Sequence, residues 1–508
     1  MRQNCVSLAL AICLLSGHFA RAADTGPAPG LSRAPRRPNF VFILADDLGW
    51  RDLGCFGSTF YETPNLDALS AQGVHFTDAY AACCVCSPTR ASIMTGKYPA
   101  RLHLTDWLPG RPDLPSQKLR RPVIQDHLAP NEVTLASALH EAGYATAFIG
   151  KWHLGGKEFY PEHFGFDINI GGCELGHPPS YFSPYKNPTL PDGPKGEYLT
   201  DRLTDEAIKF IDTASQTPDK PFLLYLCHYA VHNPQQAKSA VIARYKAKAA
   251  ALPPAGPDFA MDLGRKVRQV QDQPVYAAMV QSLDESVGRI LKALADRGLD
   301  RETVVLFTSD NGGLSTAEGT PTSNVPLRAG KGWPYEGGVR EPLIVKWPGT
   351  SRHGSVCREP MISTDYYPTL LEIAGLPLRP SQHVDGISIV PLLKGESLPQ
   401  RSIFWHYPHY SNQGGGPCGT IRQGDFKLIE WYEDDRAELF NVHDDIGETH
   451  DLAQKSPEKA ADLRKQLQAW RDDVKADMPT LNPDYKPKAR RSESRRPALA
   501  GLGFDDDD

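Results

Sequence analysis

Two uninterrupted hydrophobic runs in this chain each end in a pair of side chains with oxygen donors. The first run occupies residues 39–45 and the second occupies residues 303–309. Continuous rather than alternating hydrophobicity is typical of strands that are buried on both faces of a parallel sheet. The polar residues that follow the two runs are Asp46, Asp47, Asp310 and Asn311. Because ligands of open α/β sheets bind beyond the carboxyl ends of the strands, we expect these side chains to lie at the functional edge.

Segments with helical periodicity lie between the two runs, at residues 133–142 and 275–297. Alternating strands and helices predict an α/β fold. Beyond about residue 401 the pattern changes to short predicted strands at 403–407, 420–422, 426–431 and 438–441, followed by a predicted helix at 457–476. We therefore predict a main domain at 36–400, a smaller C-terminal α+β subdomain at 401–480, and a disordered tail at 481–508, where a basic run precedes four aspartates.

The N-terminus has the features of a secretory signal peptide. Arg2 precedes an apolar run at residues 6–15, and Ala20-Arg21-Ala22 offers a small-x-small cleavage site. We predict a signal peptide at residues 1–22, cleaved near Ala22, and a periplasmic or secreted mature protein. No later stretch of the sequence is long enough to span a bilayer as a helix, so we expect no membrane anchor.

Charge and cysteine content narrow the possible partners. The formal net charge falls by two, from −6 to −8, when Arg2 and Arg21 leave with the signal peptide. A chain with this negative charge is not expected to bind nucleic acid. Of the 10 cysteines, Cys5 and Cys13 also leave, and the spacing of the others shows no dense disulfide framework. One or two disulfides remain compatible with the sequence.

The sharpest chemical signal is the sequence Cys86-Ser-Pro-Thr-Arg90. It resembles the signature of the type I sulfatases, in which the cysteine of Cys-x-Pro-x-Arg is oxidised to formylglycine before folding. In this segment Cys86 has proline at +2 and arginine at +4, whereas Cys84 fails that test. The resemblance implies sulfuric ester hydrolysis, a formylglycine-generating maturase as a partner, and an alkaline-phosphatase-like fold with a large mixed, mostly parallel sheet flanked by helices.

An alternative is that Cys83 and Cys86 form a redox pair or half of a zinc site. Zinc would need a second pair of cysteines or histidines at matching spacing, and none follows closely. Redox chemistry would favour a thioredoxin-like strand and helix around the two cysteines. We therefore expect Cys83 and Cys84 to be buried as small hydrophobic residues.

The four oxygen-bearing residues at the strand ends predict a metal site. Hard oxygen donors select calcium or magnesium over metals that prefer thiolates. A lone Asp-Asp pair would more often cap a helix or form a turn, but two such pairs each close an apolar strand here. The resemblance implies one calcium ion held by Asp46, Asp47, Asp310 and Asn311, with the residue at Cys86 as a further ligand.

A predicted strand runs into the sequence Gly150-Lys-Trp-His-Leu-Gly155. If the backbone stays extended there, Lys151 and His153 project from the same face. Without the motif around them, Lys151 could be a solvated surface charge and His153 a loop histidine. The sequence resembles the Gly-Lys-Trp-His motif of the sulfatases, which makes Lys151 a sulfate clamp and His153 the partner of the formylglycine hydroxyl.

Two further segments carry family resemblances. The strand that ends in Ala-Val-His-Asn-Pro234 implies that His232 donates a proton to the leaving alcohol, and we expect His228 to pack in the core. In the glycine-rich stretch 324–340, the resemblance makes Lys331 a second lysine on the sulfate. Glu336 and Arg340 are expected to support the fold outside the site.

The sequence says less about the substrate. The aromatic segment 404–410 includes His406 and His409, which could bind sugar hydroxyls, whereas Phe404 and Trp405 are expected to pack against the main sheet. We predict a bacterial glycan sulfatase that acts on sulfated polysaccharide fragments, with a small aryl sulfate as a surrogate. The rival hypotheses are a formylglycine-dependent phosphomonoester or phosphonate ester hydrolase of the same fold and a glycan-binding pseudo-sulfatase.

Overall fold

The computed structural model describes residues 36–253, 256–262 and 264–487. The predicted signal peptide lies outside the described residues, as does the tail beyond residue 487. From Arg37 onward the described residues form one compact unit. Among the described residues, no helix combines the length and the hydrophobicity that crossing a membrane requires.

The strands are β1 (Asn39–Ala45), β2 (Val74–Tyr80), β3 (Leu119–Arg120), β4 (Ala145–Gly150), β5 (Ile168–Ile170), β6 (Phe222–Cys227), β7 (Phe259–Asp262), β8 (Arg265–Arg268), β9 (Thr303–Ser309), β10 (Arg340–Lys346), β11 (Ser355–Cys357), β12 (Met361–Ile362), β13 (Ser402–Tyr407), β14 (Cys418–Gln423), β15 (Phe426–Trp431), β16 (Arg436–Asn441) and β17 (Thr480–Leu481). The helices are α1 (Pro64–Gln72), α2 (Cys86–Thr95), α3 (Pro99–Leu102), α4 (Leu135–Glu141), α5 (Leu199–Ser215), α6 (Ser239–Ala250), α7 (Pro274–Asp296), α8 (Glu336–Val339), α9 (Tyr366–Ile373), α10 (Val390–Lys394) and α11 (Pro457–Val474).

The central sheet has the strand order β11-β2-β10-β9-β1-β6-β4-β5, with β12 also paired to β2. Its pairs are parallel except where β10 meets β2 and β9, so the predicted mixed, mostly parallel sheet is confirmed. The two hydrophobic runs are adjacent strands in parallel register, from Asn39 beside Thr303 to Ala45 beside Ser309. This register brings the polar residues after β1 and β9 to one edge of the sheet.

Helices cover both faces of this sheet. Strand β1 is buried along its whole length and alternates between two cores, because successive side chains of a strand point to opposite faces. Val41 and Ile43 pack with helices α1, α5, α6 and α7. Phe42 and Leu44 pack with helices α2, α4, α9 and α10. Burial on both faces explains why the run is hydrophobic throughout.

The C-terminal region contains a four-stranded antiparallel sheet in the order β13-β14-β15-β16. Helix α11 packs on this sheet through Leu463 and Leu467. The indole of Trp405 donates a hydrogen bond of 2.7 Å to the Ala81 carbonyl, so the region is attached directly to the segment that precedes Cys86. The elements match the predicted short strands and terminal helix, while the boundary at residue 400 stays a prediction.

The predicted start of the tail at residue 481 is corrected by the structure. Strand β17 pairs with β3, and the side-chain amide of Asn482 donates to the carbonyls of Leu114 (3.2 Å) and Gln117 (2.8 Å). These long-range contacts hold a segment whose own composition gives no structural signal. The eight cysteines of the described part are all free thiols.

Candidate active site

The four predicted oxygen donors meet at the carboxyl edge of the sheet, and all four are buried. The Asp47 amide donates to Asp310 Oδ1 at 3.2 Å, and Asn311 Nδ2 donates to Asp47 Oδ1 at 2.8 Å. Oxygens of Asp46 and Asp47 also lie within 4.8 Å of a ring nitrogen of His232, a spacing that one metal ion could bridge. The adjacent parallel strands β1 and β9 produce this convergence.

Three cationic side chains surround these carboxylates. Lys151 Nζ donates to the two oxygens of Asp46 at 2.9 and 2.8 Å. Lys331 Nζ lies 2.8 Å from Asp47. Arg90, one turn into α2, donates from Nε to Asp310 at 2.8 Å and from Nη1 to the Lys151 carbonyl at 2.8 Å.

The electrostatics of the cluster favour a bound cation. Burial raises the pKa of Asp46 above its ordinary value, although Lys151 opposes that shift. Burial acts in the same direction on Asp47, but Lys331 and His232 outweigh it and hold the pKa of Asp47 below its ordinary range. The Oδ1 atom of Asn311 is buried and has no hydrogen-bond partner among the described residues. An orphaned carbonyl oxygen beside three carboxylates fits a hard cation.

Cys86 is the first residue of α2. The chain enters this helix from the extended residue Val85 and leaves it at Gly96, which has a left-handed conformation. The thiol of Cys86 lies 3.5 Å from His153 Nδ1, and burial raises its pKa, so the unmodified thiol is a poor thiolate nucleophile. Cys83 and Cys84 are buried in the apolar cluster below the C-terminal sheet, as predicted.

Lys151 and His153 reach the site through a turn after β4, so the condition of an extended backbone, on which their shared face depended, is not met. Strand β4 ends at Gly150, which has a φ of 105°, and His153 has a φ of 57°. A Cβ atom at Gly150 would lie 1.8 Å from the Cys227 carbonyl oxygen, so only glycine fits there. The turn is therefore set by close packing against β6.

The tautomer of His153 follows from its neighbours. Its Nε2 lies 2.7 Å from the Leu108 carbonyl, and a carbonyl can only accept, so Nε2 carries the hydrogen. Nδ1, which faces Cys86, then holds a free lone pair. Burial and the charge of Lys151 place the pKa of His153 well below 6.5. The ring is thus a neutral base directed at residue 86.

His232 contacts the cluster through Lys331. Its Nδ1 donates to the Asn233 carbonyl at 3.0 Å, and its Nε2 accepts from Lys331 Nζ at 3.1 Å. The second histidine of this segment, His228, is fully buried and bonds to Ser286 Oγ at 2.9 Å. The prediction that His228 packs in the core is confirmed.

Glu336 and Arg340 lie outside the site, as predicted. Glu336 accepts hydrogen bonds from Lys427 (2.9 Å), Arg340 (3.1 Å) and Tyr80 (2.7 Å). Strand β15 supplies Lys427, so these contacts connect the main sheet to the C-terminal sheet. The two residues therefore have a structural role.

A pocket of about 360 Å³ opens onto Cys86, His153, His232 and Lys331. Its other lining residues are Val85, Trp107, Leu108, Pro109, Glu174, Leu175, Gly176, His177, Glu318, Asn412 and Gln413. Sequence reasoning missed the polar members of this wall. They come from separate irregular loops, where neither periodicity nor a motif marks them.

His406 and His409 do not line this pocket, which corrects their predicted role in substrate binding. His406 is buried between the Tyr432 hydroxyl (2.8 Å) and the Asp477 carbonyl (3.0 Å). His409 is buried and bonds to Thr105 Oγ1 at 2.8 Å. Both nitrogens of the His406 ring are hydrogen-bonded, whereas His409 Nδ1 is buried without a hydrogen-bond partner among the described residues. Asn412 and Gln413 face the pocket instead.

The buried His406 should make stability depend on pH. Burial lowers its pKa to about 4, against an ordinary value of 6.5. Between these values the unfolded state binds more protons, so the free energy of unfolding falls as the pH falls, by about 3 kcal/mol for the full interval. Thermal unfolding of the wild type and of His406→Asn at pH 7 and pH 4.5 checks this. The variant should lose part of the pH dependence, and an identical dependence in both proteins would contradict the expectation.

The chain matches two protein-family models over most of its length. Residues 38–376 match the family model described as Sulfatase, and residues 329–475 match the model described as N-sulphoglucosamine sulphohydrolase, C-terminal. The first match includes every residue that we place in the cluster. The second extends from the Lys331 loop to the end of helix α11.

Individual relatives cover most of the chain. A protein named Sulfatase from Formosa agariphila is 33% identical, over 86% of this chain and 89% of the relative. Human arylsulfatase A is 34% identical, over 79% of this chain and 76% of the relative. The crystal structure of Ps i-CgsB in complex with k-i-k-neocarrahexaose is similar with a TM-score of 0.70 and 30% identity, over 86% of this chain and 93% of that chain. The chain therefore belongs to the sulfatase family and is an enzyme that hydrolyses sulfate esters.

Proposed function

We propose that this sulfatase uses formylglycine formed from Cys86, together with one calcium ion, to remove sulfate from a sulfated carbohydrate. The observation that carries the proposal is the position of Cys86. It stands at the first residue of α2, faces the pocket, and lies beside the His153 base and the cluster of carboxylates and cations. A hydrated aldehyde at this position supplies the oxygen nucleophile that attacks sulfur.

The donor set supports a calcium ion. Asp46, Asp47, Asp310 and Asn311 would hold it with their side-chain oxygens, and the residue at position 86 would be a further ligand. Its charge would stabilise the negative charge that develops during attack on sulfur. The choice of calcium over magnesium rests on the family resemblance and on the number of hard oxygen donors.

The remaining residues bind the sulfate group or transfer protons on the two sides of the sulfur. Lys151 and Lys331 are the groups proposed to bind sulfate oxygens. Lys331 lines the pocket, whereas Lys151 lies behind it and is paired with Asp46. His153 Nδ1 accepts a proton from the group at position 86. On the other side, His232 is the proposed proton donor to the departing alcohol oxygen. Its Nε2 lies 3.1 Å from Lys331 Nζ, and the Lys331 ammonium would supply the proton that Nε2 passes on.

The proposed substrate is a sulfated carbohydrate, and a small aryl sulfate should serve as a surrogate. The pocket combines apolar walls with polar groups from several loops, which is typical of small-molecule sites. The similar structure of Ps i-CgsB was solved with an oligosaccharide ligand. We further propose that the enzyme is exported after removal of residues 1–22 and that a formylglycine-generating maturase acts on Cys86.

Mass spectrometry combined with a pair of matched esters tests this proposal. We expect the tryptic peptide that contains Cys86 to show conversion to the aldehyde when a formylglycine-generating enzyme is coexpressed. The same protein should hydrolyse 4-methylumbelliferyl sulfate much faster than 4-methylumbelliferyl phosphate. Cleavage of the phosphate alone would favour the rival phosphoester hydrolase. An unmodified Cys86 in the presence of active maturase would contradict the catalytic assignment and favour the pseudo-sulfatase.

A further inference from the structure

Two carboxylates form the polar wall of the pocket on loops that are far apart in sequence. Glu174 follows β5, and Glu318 follows β9. Each has one oxygen fixed by a neighbour, since Tyr160 donates to Glu174 Oε2 and Gln413 donates to Glu318 Oε1. Among the described residues, no hydrogen bond reaches Glu174 Oε1 or Glu318 Oε2. Both side chains therefore keep an acceptor for a ligand.

The charge of the pocket changes sign along its length. At the sulfur end, Lys331 lines the pocket, with Lys151 and Arg90 behind the carboxylates. The described lining residues include one lysine, Lys331, and no arginine. The Lys331 ammonium pairs with Asp47. His177 carries no compensating charge at neutral pH, since burial and the nearby lysines lower its pKa. The part that receives the leaving group is therefore acidic.

The dimensions of the pocket limit what the leaving group can be. Its volume of about 360 Å³ lies at the low end of the range of roughly 300–1,000 Å³ that small-molecule sites span. Trp107 is half-buried and, with Leu108, Pro109 and Leu175, gives the pocket an apolar wall. Such a wall suits the apolar face of one sugar ring, and the free carboxylate oxygens suit its hydroxyl groups.

We infer that this pocket selects a single, singly sulfated neutral sugar residue, and that Glu174 and Glu318 exclude residues that carry a second anionic group. This inference rests on the proposed function. A sugar hydroxyl donates to a carboxylate, and hydrogen bonds to an ionised acceptor are the stronger kind. A second sulfate or a carboxylate on the same ring has no hydrogen to donate and would lie beside two like charges. Glu174 and Glu318 are both exposed, so solvent and salt screen part of this repulsion.

Substrate pairs that differ by one sulfate test the inference. Matured enzyme is first assayed on the monosulfates of galactose, glucose, N-acetylglucosamine and N-acetylgalactosamine. The best substrate is then compared with the same sugar carrying that sulfate and a second one. We expect kcat/KM to be lower by at least about tenfold for the disulfated sugar, because like charges face each other in the pocket. In the Glu174→Gln and Glu318→Gln variants, the ratio of kcat/KM for the monosulfated sugar to kcat/KM for the disulfated sugar should be closer to one. We expect this change to come mainly from faster turnover of the disulfated sugar.

The matched control is a variant that removes one carboxylate charge outside the pocket. Glu372 is exposed on α9 and does not line the pocket, so Glu372→Gln should leave the ratio unchanged. As a second measurement, a higher salt concentration should bring the wild-type ratio of the two kcat/KM values closer to one, because salt screens like-charge repulsion. Equal kcat/KM for both sugars in the wild type would overturn the inference, as would a ratio that neither pocket variant changes. In either case retained hydrolysis of 4-methylumbelliferyl sulfate would show that the proposed function itself still holds.

Discussion

The Cys86→Ala variant should lose hydrolysis of 4-methylumbelliferyl sulfate by at least about a thousandfold while it remains folded. Residue 86 is the group proposed to attack sulfur, and the neighbouring lysines and His153 cannot replace a nucleophile. The side chain is small and lies at the pocket, so its truncation leaves the hydrophobic cores intact. Steady-state kinetics and thermal unfolding of coexpressed, purified protein provide the measurement.

Cys84→Ala is the matched control for this experiment. Cys84 is also buried and lies two residues earlier, but it packs in the apolar cluster below the C-terminal sheet. Loss of the Cys84 thiol should reduce the free energy of unfolding slightly. It should leave the conversion of Cys86 to formylglycine and the kcat nearly unchanged. Wild-type activity in Cys86→Ala, or a similar loss of activity in both variants, would refute the assignment of Cys86.

Asp310→Asn should reduce both metal content and kcat, the latter by about a thousandfold. Asp310 accepts the Asp47 amide and pairs with Arg90, and its carboxylate is one of the proposed calcium ligands. The amide keeps the size of the side chain but removes the negative charge that attracts a hard cation and balances Arg90. Elemental analysis of the purified protein and a calcium titration of sulfatase activity measure the two effects.

A second buried carboxyl group provides the control for Asp310. Glu341 on β10 is buried, and burial raises its pKa well above the ordinary value. Glu341 is not one of the proposed ligands, so Glu341→Gln should retain the metal and most of the activity. One bound metal per chain and normal kcat in Asp310→Asn would exclude Asp310 as a ligand.

The residues of the reactive cluster were recognisable from the amino-acid sequence because their signals are local. Two strands that are hydrophobic throughout must be buried on both faces, and the polar residues that end them then fall at the carboxyl edge of the sheet. The cysteine signature begins a helix, and Gly150 ends a strand. Each of these features depends on a few neighbouring residues, so the sequence alone carries it.

The wall of the substrate pocket was not recognisable in this way. Glu174, Glu318 and Gln413 come from three loops, and nothing in their local sequence distinguishes them from solvated surface residues. The prominent histidines His406 and His409 are buried instead, and they form hydrogen bonds with Tyr432, Asp477 and Thr105. Whether a polar side chain faces a ligand or a protein partner is decided by residues that are distant in sequence.

The amino-acid sequence thus determined the fold class and the sulfatase class of the enzyme, and it predicted the residues of the reactive cluster, because burial patterns and short motifs act over a few positions. The tertiary structure decided how His153 is oriented, which loops line the pocket and how the segment around Asn482 is held. Each of these depends on contacts across the fold, such as Leu108 with His153 and Asn482 with Gln117. Such contacts form only when the whole chain is packed.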